Sequence, residues 1–270
     1  MKKSKEMPPV MILCGGKGTR LRDVTELLPK PMVSIGEQPI VWHIMKSYAA
    51  FGVKRFILCL GYKREAFVDY FMNYHLRTAD ATIKLGHEPE ITFHGESGES
   101  DWEVTLAGTG LDTMTGGRVF RASKYLKDSD EHFFLTYGDG VCDVNIDELL
   151  NHHLAGGKLL TLTAVLPEAR FGTMKLDGDT VTGFAEKQAQ MDDFINGGYM
   201  VLDRKFINRY LNGNEDQFFE REPMNRCAAD GMMQVFKHHG FWQCMDNQRE
   251  YNMLNAMWEK GDAPWKKYWK

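Results

Sequence analysis

Val10-Met11-Ile12-Leu13-Cys14-Gly15-Gly16-Lys17-Gly18-Thr19-Arg20 is the stretch on which the fold turns. Its opening apolar run, Val10 to Cys14, reads as a strand buried on both faces, the kind found inside a parallel sheet. The glycines that follow allow a tight turn and leave backbone N–H groups open to an anion. Arg20 and Lys30, in Lys30-Pro31, add two fixed positive charges at the same place. Together these are the parts of a nucleoside triphosphate cradle.

Two commoner phosphate loops fail on spacing. A Walker A loop needs Gly, four residues, then Gly-Lys-Ser/Thr, whereas here Lys17 stands between Gly16 and Gly18. The dinucleotide fingerprint needs a third glycine where Leu21 stands.

Outward from this stretch the pattern alternates. Pro39 to Gly52 carries Ile40, Ile44, Tyr48 and Phe51 at helical spacing. Phe56 to Leu60 reads as a strand, and Phe67, Phe71 and Tyr74 mark one helix face. His132 to Tyr137 is a strand ending at Gly138-Asp139-Gly140. A helix near Val144 to His153 and a strand from Leu159 to Leu166 follow. This βαβα order predicts a mostly parallel sheet with helices on both faces, a Rossmann-like three-layer α/β/α architecture with ligands at the carboxyl ends of the strands. The Gly15 turn and Asp139 both fall at such ends. In the second half, Thr180 to Glu186 and Tyr199 to Leu202 read as strands of a mixed part of the sheet, and Lys205 to Leu211 and Gln248 to Lys260 as helices. Asp80 to Gly98 shows no clean period and reads as short strands and loop.

Length and composition bound the class. The chain has 270 residues, 43% hydrophobic, enough for one large core. No Pro/Ser-rich linker divides it, so a single domain over 1–270 is expected, in two halves: one near 8–140 that carries the Gly-rich turn and one near 141–270. A net charge of -4 speaks against a nucleic-acid surface. The basic Met1 to Pro9 leads into an apolar run too short for a signal peptide, no window reaches transmembrane length, and a cytoplasmic protein without a membrane partner is expected. Cys14, Cys59, Cys142, Cys227 and Cys244 form no CxxC pair, so neither a disulfide framework nor a zinc knuckle is expected. The pairs His152-His153 and His238-His239 lie in no HExxH pattern and read as core or surface residues. Trp265 and Trp269 would be odd on a monomer surface, which predicts burial or a subunit contact.

Gly15 to Arg20, with Leu21 and Lys30-Pro31-Met32, resembles the signature of the sugar nucleotidyltransferases. Met114-Thr115-Gly116-Gly117-Arg118, Tyr137-Gly138-Asp139-Gly140, Trp258-Glu259-Lys260-Gly261 and the tail Ala263-Pro264-Trp265-Lys266 resemble the cytidylyl branch of that family. The resemblance implies a nucleotidyltransferase (GT-A-like) fold with a mixed, mostly parallel sheet. It implies transfer of a cytidylyl group from CTP to glucose 1-phosphate, in a homo-oligomer serving surface-polysaccharide synthesis. It gives Leu13, Gly15, Gly16, Gly18, Thr19, Arg20, Lys30, Thr113, Arg118 and Gly138 to the nucleotide. Glu186, Lys187, Asn196 and Gly197 go to the sugar phosphate, the glycine letting the ring approach the backbone. Asp139 and Asp246 would hold Mg²⁺, which suits two phosphate-rich substrates that repel one another.

Arg20, Lys30 and Asp139 form the expected catalytic set. Phosphoryl-type transfer relies on positioning and charge stabilisation, and no GxSxG nucleophile elbow occurs. Base choice leaves no residue-type signal. A sister enzyme using UTP, dTTP or another phosphorylated acceptor shares these features. A non-catalytic nucleotide-binding subunit would be expected to lose the charged residues, and all are present.

Overall fold

The computed structural model describes residues 6–16, 28–88, 90–95, 98–167, 173–185 and 194–269. Seven strands form the central sheet: β1 (Val10–Leu13), β2 (Arg55–Leu60), β3 (Glu103–Gly108), β4 (His132–Tyr137), β5 (Leu160–Val165), β6 (Ile195–Asp203) and β7 (Met233–His238). Their spatial order is β7-β5-β6-β4-β1-β2-β3. β1 pairs in parallel with β2 and β4, β2 with β3, and β5 with β7. β6 alone among these runs antiparallel to its neighbours, β4 and β5. The sheet is therefore mixed and mostly parallel, as the order of elements predicts.

Helices cover both faces: α1 (Ile40–Ala49), α2 (Arg64–Met72), α3 (Thr115–Ala122), α4 (Ile146–Gly156), α5 (Lys205–Tyr210), α6 (Glu222–Ala229) and α7 (Gln248–Glu259). Alternation along β1 sorts its side chains. Val10 and Ile12 join a core cluster with α1, α2, α4 and α7; Met11 and Leu13 join the opposite cluster with α3, α5 and α6. β1 is buried along its whole length, which is why its sequence is uninterrupted apolar.

Register then places the site. Leu13 is level with Cys59 on β2 and with Tyr137 on β4. The turns leaving β1 and β4 thus emerge side by side at the carboxyl edge of the sheet.

Three details differ from the sequence reading. The helix drawn through Phe67, Phe71 and Tyr74 divides at Asn73: α2 ends at Met72 and a short helix, Tyr74–Thr78, follows. The Asn73 side-chain amide donates to the Asp69 carbonyl at 2.9 Å, a local bond that competes with helix continuation. The edge strands β3 and β7 and the helices α3 and α6 were not foreseen. Strands exposed at an edge lack a continuous apolar run, and α3 carries two glycines in its first turn. Thr180–Ala185, read as a strand of the mixed part of the sheet, instead pairs antiparallel with Thr173–Asp177 in a separate two-stranded hairpin. The region from Asp80 to Gly98 contains an antiparallel hairpin, Asp80–Lys84 with Glu90–His94, in agreement with its reading as short strands.

At the C-terminus Trp265 is fully buried, and Trp269 packs against Trp42 and His43. Burial within one chain accounts for Trp265, and Trp269 is partly buried against the same core. No helix among the described residues is long and apolar enough to cross a membrane.

Candidate active site

Lys30 opens the short turn Lys30–Met32 and is almost wholly buried. Asp139 stands in the turn after β4. Its predecessor Gly138 is closely packed: a Cβ there would lie 3.0 Å from Cys14 Sγ, Leu13 O and Pro31 Cγ, and these neighbours would have to give way by a few tenths of an ångström. The short strand Gly140–Cys142 then pairs antiparallel with Trp242–Cys244. That pairing delivers Asp246, because Met245 N–H donates to the Asp139 carbonyl at 2.8 Å. Glu250 in the first turn of α7 accepts the Asp246 N–H at 2.6 Å and holds it there.

Both carboxylates converge on one ammonium. Lys30 Nζ donates to Asp139 Oδ2 at 2.6 Å and to Asp246 Oδ1. Burial alone would pull the Lys30 pKa down; the two carboxylates outweigh it, and the pKa stands above the ordinary lysine value. Two carboxylates already sharing one cation offer a hard, all-oxygen donor pair of the kind that suits a small dication. Among the described residues, Cys142, Asp143 and His238 also bring ligand atoms within 4.8 Å of one another. There His238 lies 2.8 Å from Asp143, and the Lys267 ammonium stands 3.8 Å away from the same carboxylate and already supplies positive charge.

The far wall of the cleft is held differently. Arg118, on α3, is buried and reaches the Leu60, Gly110, Leu111 and Gly15 carbonyls and Thr109 Oγ1, at 2.7–3.2 Å. Burial lowers its pKa from the usual arginine value, though such a group stays protonated. Gly15 and Gly61 make room for it: a Cβ on Gly15 would sit 2.2 Å from Arg118 Cζ, and one on Gly61 2.5 Å from its Nη1. Gly15 therefore admits an internal guanidinium, whereas a Cβ on Gly16 would meet nothing within 4 Å. The first-turn N–H groups of α3 are also engaged, since Gly116 and Gly117 donate to the Gln217 carbonyl at 2.9 and 3.2 Å.

Between the two ends lies a cleft of about 470 Å³. Residues 9–259 match the family described as nucleotidyl transferase. The chain belongs to the nucleotidyl transferase family. It is 45% identical over 256 residues to the glucose-1-phosphate cytidylyltransferase of Salmonella typhi, covering 95% of this chain and 98% of that one. It is 40% identical, with the same coverage, to the probable glucose-1-phosphate cytidylyltransferase of Bacillus subtilis (strain 168). Among solved structures, HddC from Yersinia pseudotuberculosis superposes with a TM-score of 0.66 at 24% identity, covering 93% of this chain and 100% of that chain, and shows the shared fold.

This nucleotidyltransferase brings most of the expected site residues together. Leu13, Gly15, Gly16, Lys30, Thr113, Arg118, Gly138, Asp139 and Asp246 all line the cleft. Thr113 is buried and its hydroxyl accepts from Arg121 at 2.7 Å, so it braces the wall. Asn196 and Gly197 are not among the lining residues; Asn196 Nδ2 reaches the Oη of the lining residue Tyr137 at 3.4 Å. A Cβ on Gly197 would lie 2.7 Å from Val165 Cγ1, so packing within the sheet already calls for a glycine there. Gly18, Thr19, Arg20, Glu186 and Lys187 lie outside the described residues. Sequence reasoning passed over Tyr137, Thr115, Phe218 and Glu220. Of these the first three line the cleft, and Glu220 accepts hydrogen bonds from Tyr137 and Thr115. Tyr137 and Thr115 stood inside quoted motifs without a role; Glu220 has no neighbour in sequence that marks it.

Proposed function

We propose that this enzyme transfers a cytidylyl group from CTP to glucose 1-phosphate, releasing pyrophosphate and CDP-glucose. The observation that carries the proposal is the meeting of Asp139 and Asp246 on Lys30 beside the Gly15 turn, in a chain this similar to glucose-1-phosphate cytidylyltransferases. Asp139 and Asp246 would hold the metal, Mg²⁺ by the hardness of their oxygens. Bound there, the ion would neutralise charge on the phosphates that the reaction brings together.

The chain's own residues do the rest. Lys30, released from its carboxylate partners, would lie against the negative charge that develops at the α-phosphorus and on the departing pyrophosphate. Arg20 would add a second cation on that side. The attacking atom is a phosphate oxygen of the sugar phosphate, already ionised at neutral pH, so no general base is needed. No protein nucleophile is required either. Cys14 is the one thiol among the cleft residues, and burial pushes its pKa well above the ordinary value, which keeps it protonated. The expected course is one in-line displacement with inversion at phosphorus. Lys187 and Glu186 would receive the sugar phosphate, with Asn196 and Gly197 behind them. A cytoplasmic homo-oligomer supplying surface polysaccharide is the setting that fits.

The test is pyrophosphate release with glucose 1-phosphate and Mg²⁺, supplying CTP, UTP, dTTP, ATP and GTP separately, with the product identified by mass. Selective release with CTP, giving CDP-glucose, is the expected result. Release with UTP or dTTP instead overturns the base assignment, and silence with all five overturns the reaction.

A further inference from the structure

Glu220 lies between α5 and α6, outside the lining of the cleft, yet each of its carboxylate oxygens receives a hydroxyl from a different wall. Tyr137 Oη donates to Oε1 at 2.7 Å, and Thr115 Oγ1 donates to Oε2 at 2.6 Å. Tyr137 ends β4 immediately before Gly138-Asp139, and Thr115 begins α3. The connections continue on both sides. Thr115 Oγ1 accepts the Phe219 N–H at 2.9 Å. On the other side Asn196 Nδ2 reaches Tyr137 Oη at 3.4 Å, Gly198 N–H donates to Asn196 Oδ1 at 2.8 Å, and Trp242 Nε1 donates to the Gly197 carbonyl at 2.7 Å. A polar chain thus runs from the wall at Thr113–Thr115 to Asn196–Gly198 at the start of β6, with Glu220 at its centre.

Packing makes this chain stiff. Gly198 has φ 77°, and a Cβ on it would lie 2.5 Å from Tyr137 Cδ2, so the tyrosine ring rests directly on that backbone. Tyr137 is half-buried, its ring against that backbone and its hydroxyl on Glu220. Displacing Tyr137 requires Asn196–Gly198 to move, and fixing Thr115 fixes Glu220.

We propose that Glu220 is a positioning residue that couples the two substrate half-sites, an inference that rests on the reaction proposed above. A nucleotide seated on the Thr113–Thr115 wall fixes Thr115. Through Glu220 and Tyr137 it holds the Asn196–Gly198 stretch of β6 in the arrangement that receives the sugar phosphate. Because coupling is reciprocal, each substrate raises the affinity for the other.

The experiment is two-substrate initial-rate kinetics, CTP and glucose 1-phosphate both varied with Mg²⁺ present, with melting temperature as the control for folding. Thr115→Val and Tyr137→Phe each break one arm of the chain. Because the coupling is reciprocal, each is expected to raise both the KM for CTP and the KM for glucose 1-phosphate and to reduce the dependence of one on the other substrate. Glu220→Ala is expected to raise both by roughly tenfold, within the 5–150-fold range of ordinary couplings, and to reduce the dependence of one KM on the other substrate. Glu220→Gln keeps an acceptor for Tyr137 and is expected to recover much of the loss.

Unchanged KM values in Glu220→Ala, or single-arm variants that alter the KM of one substrate only and leave its dependence on the other intact, overturn the proposal. Should Glu220→Ala fail to fold, the two single-arm variants decide the matter alone. Wild-type enzyme that makes no CDP-glucose defeats the proposed reaction; active wild type with unchanged variants defeats the coupling alone.

Discussion

Lys30 and Arg118 line the same cleft, yet their partners differ in kind. Arg118 is surrounded by four backbone carbonyls and a threonine hydroxyl, all neutral and all fixed by the sheet edge and its loops. Lys30 is held by two carboxylates from distant parts of the chain, and its charge balance is local. Neutral carbonyls give a guanidinium direction and leave no charge for a ligand to take over. Carboxylates give an ammonium a counter-charge that a dication or a phosphate can rearrange. The first end of the cleft sets shape; the second is built for exchange of charge.

The contrast predicts that variants at the Lys30 end cost chemistry and those at the Arg118 end cost order. Asp139→Asn should give the largest effect, a fall in turnover of about three powers of ten or more with the melting temperature nearly kept, because metal charge stabilisation is worth several kcal/mol. Turnover and thermal unfolding measured together check this. Lys30→Ala should follow, lowering turnover by about two to three powers of ten, the usual scale for one electrostatic stabiliser. Near-full activity in that variant would remove Lys30 from the mechanism.

Arg118→Lys retains a charge but lacks the fork. Each buried carbonyl left without a donor costs about 1–3 kcal/mol, so unfolding should occur several degrees lower, at about 2–4 °C per kcal/mol for a domain of this size class. Gly15→Ala should reproduce that loss, since its methyl would occupy the guanidinium's place. If either variant kept its melting temperature while losing turnover outright, the contrast between the two ends would collapse.

A smaller and pH-dependent effect lies beneath the Lys30 end. His43 is fully buried, its Nε2 sits 2.9 Å from the Ile35 carbonyl, and Trp265 Nε1 donates to its Nδ1 at 3.3 Å. That network assigns a neutral tautomer with the proton on Nε2. Burial lowers the His43 pKa to about 4, and His153, also buried, stands at about 4. The unfolded chain binds these protons near 6.5 and the folded chain does not until about 4. Their contribution to stability is therefore present above pH 6.5 and lost as pH falls from there to about 4. A shift of this size corresponds to about 3 kcal/mol per histidine at most. Unfolding followed across that window should show the loss, and His43→Gln should make it shallower.

What the sequence disclosed follows from how each element is made. β1, β2 and β4 were legible because strands buried on both faces must be continuously apolar, and the loops at their ends carry the glycines and Asp139. Arg118, Thr113 and Asp246 were located through resemblance, since nothing in their own surroundings specifies a role. The purpose of Gly15 could not be read at all: a glycine that opens an anion cradle and one that admits an arginine from 103 positions away look identical in one dimension. Glu220 was invisible for the same reason, being joined to Tyr137 across 83 positions with no periodicity between them. β3 and β7, at the sheet edges, mix polar and apolar residues and lack the continuous apolar run of the strands buried on both faces.

The most direct test of the charge-exchange end is a Mg²⁺ titration of CDP-glucose synthesis by enzyme stripped with chelator, run beside Asp139→Asn and Asp246→Asn. The account predicts no turnover without metal, saturable recovery in the wild type, and weak or absent recovery in both variants. Full turnover in the stripped wild type, or variants that saturate with wild-type affinity and rate, would contradict it.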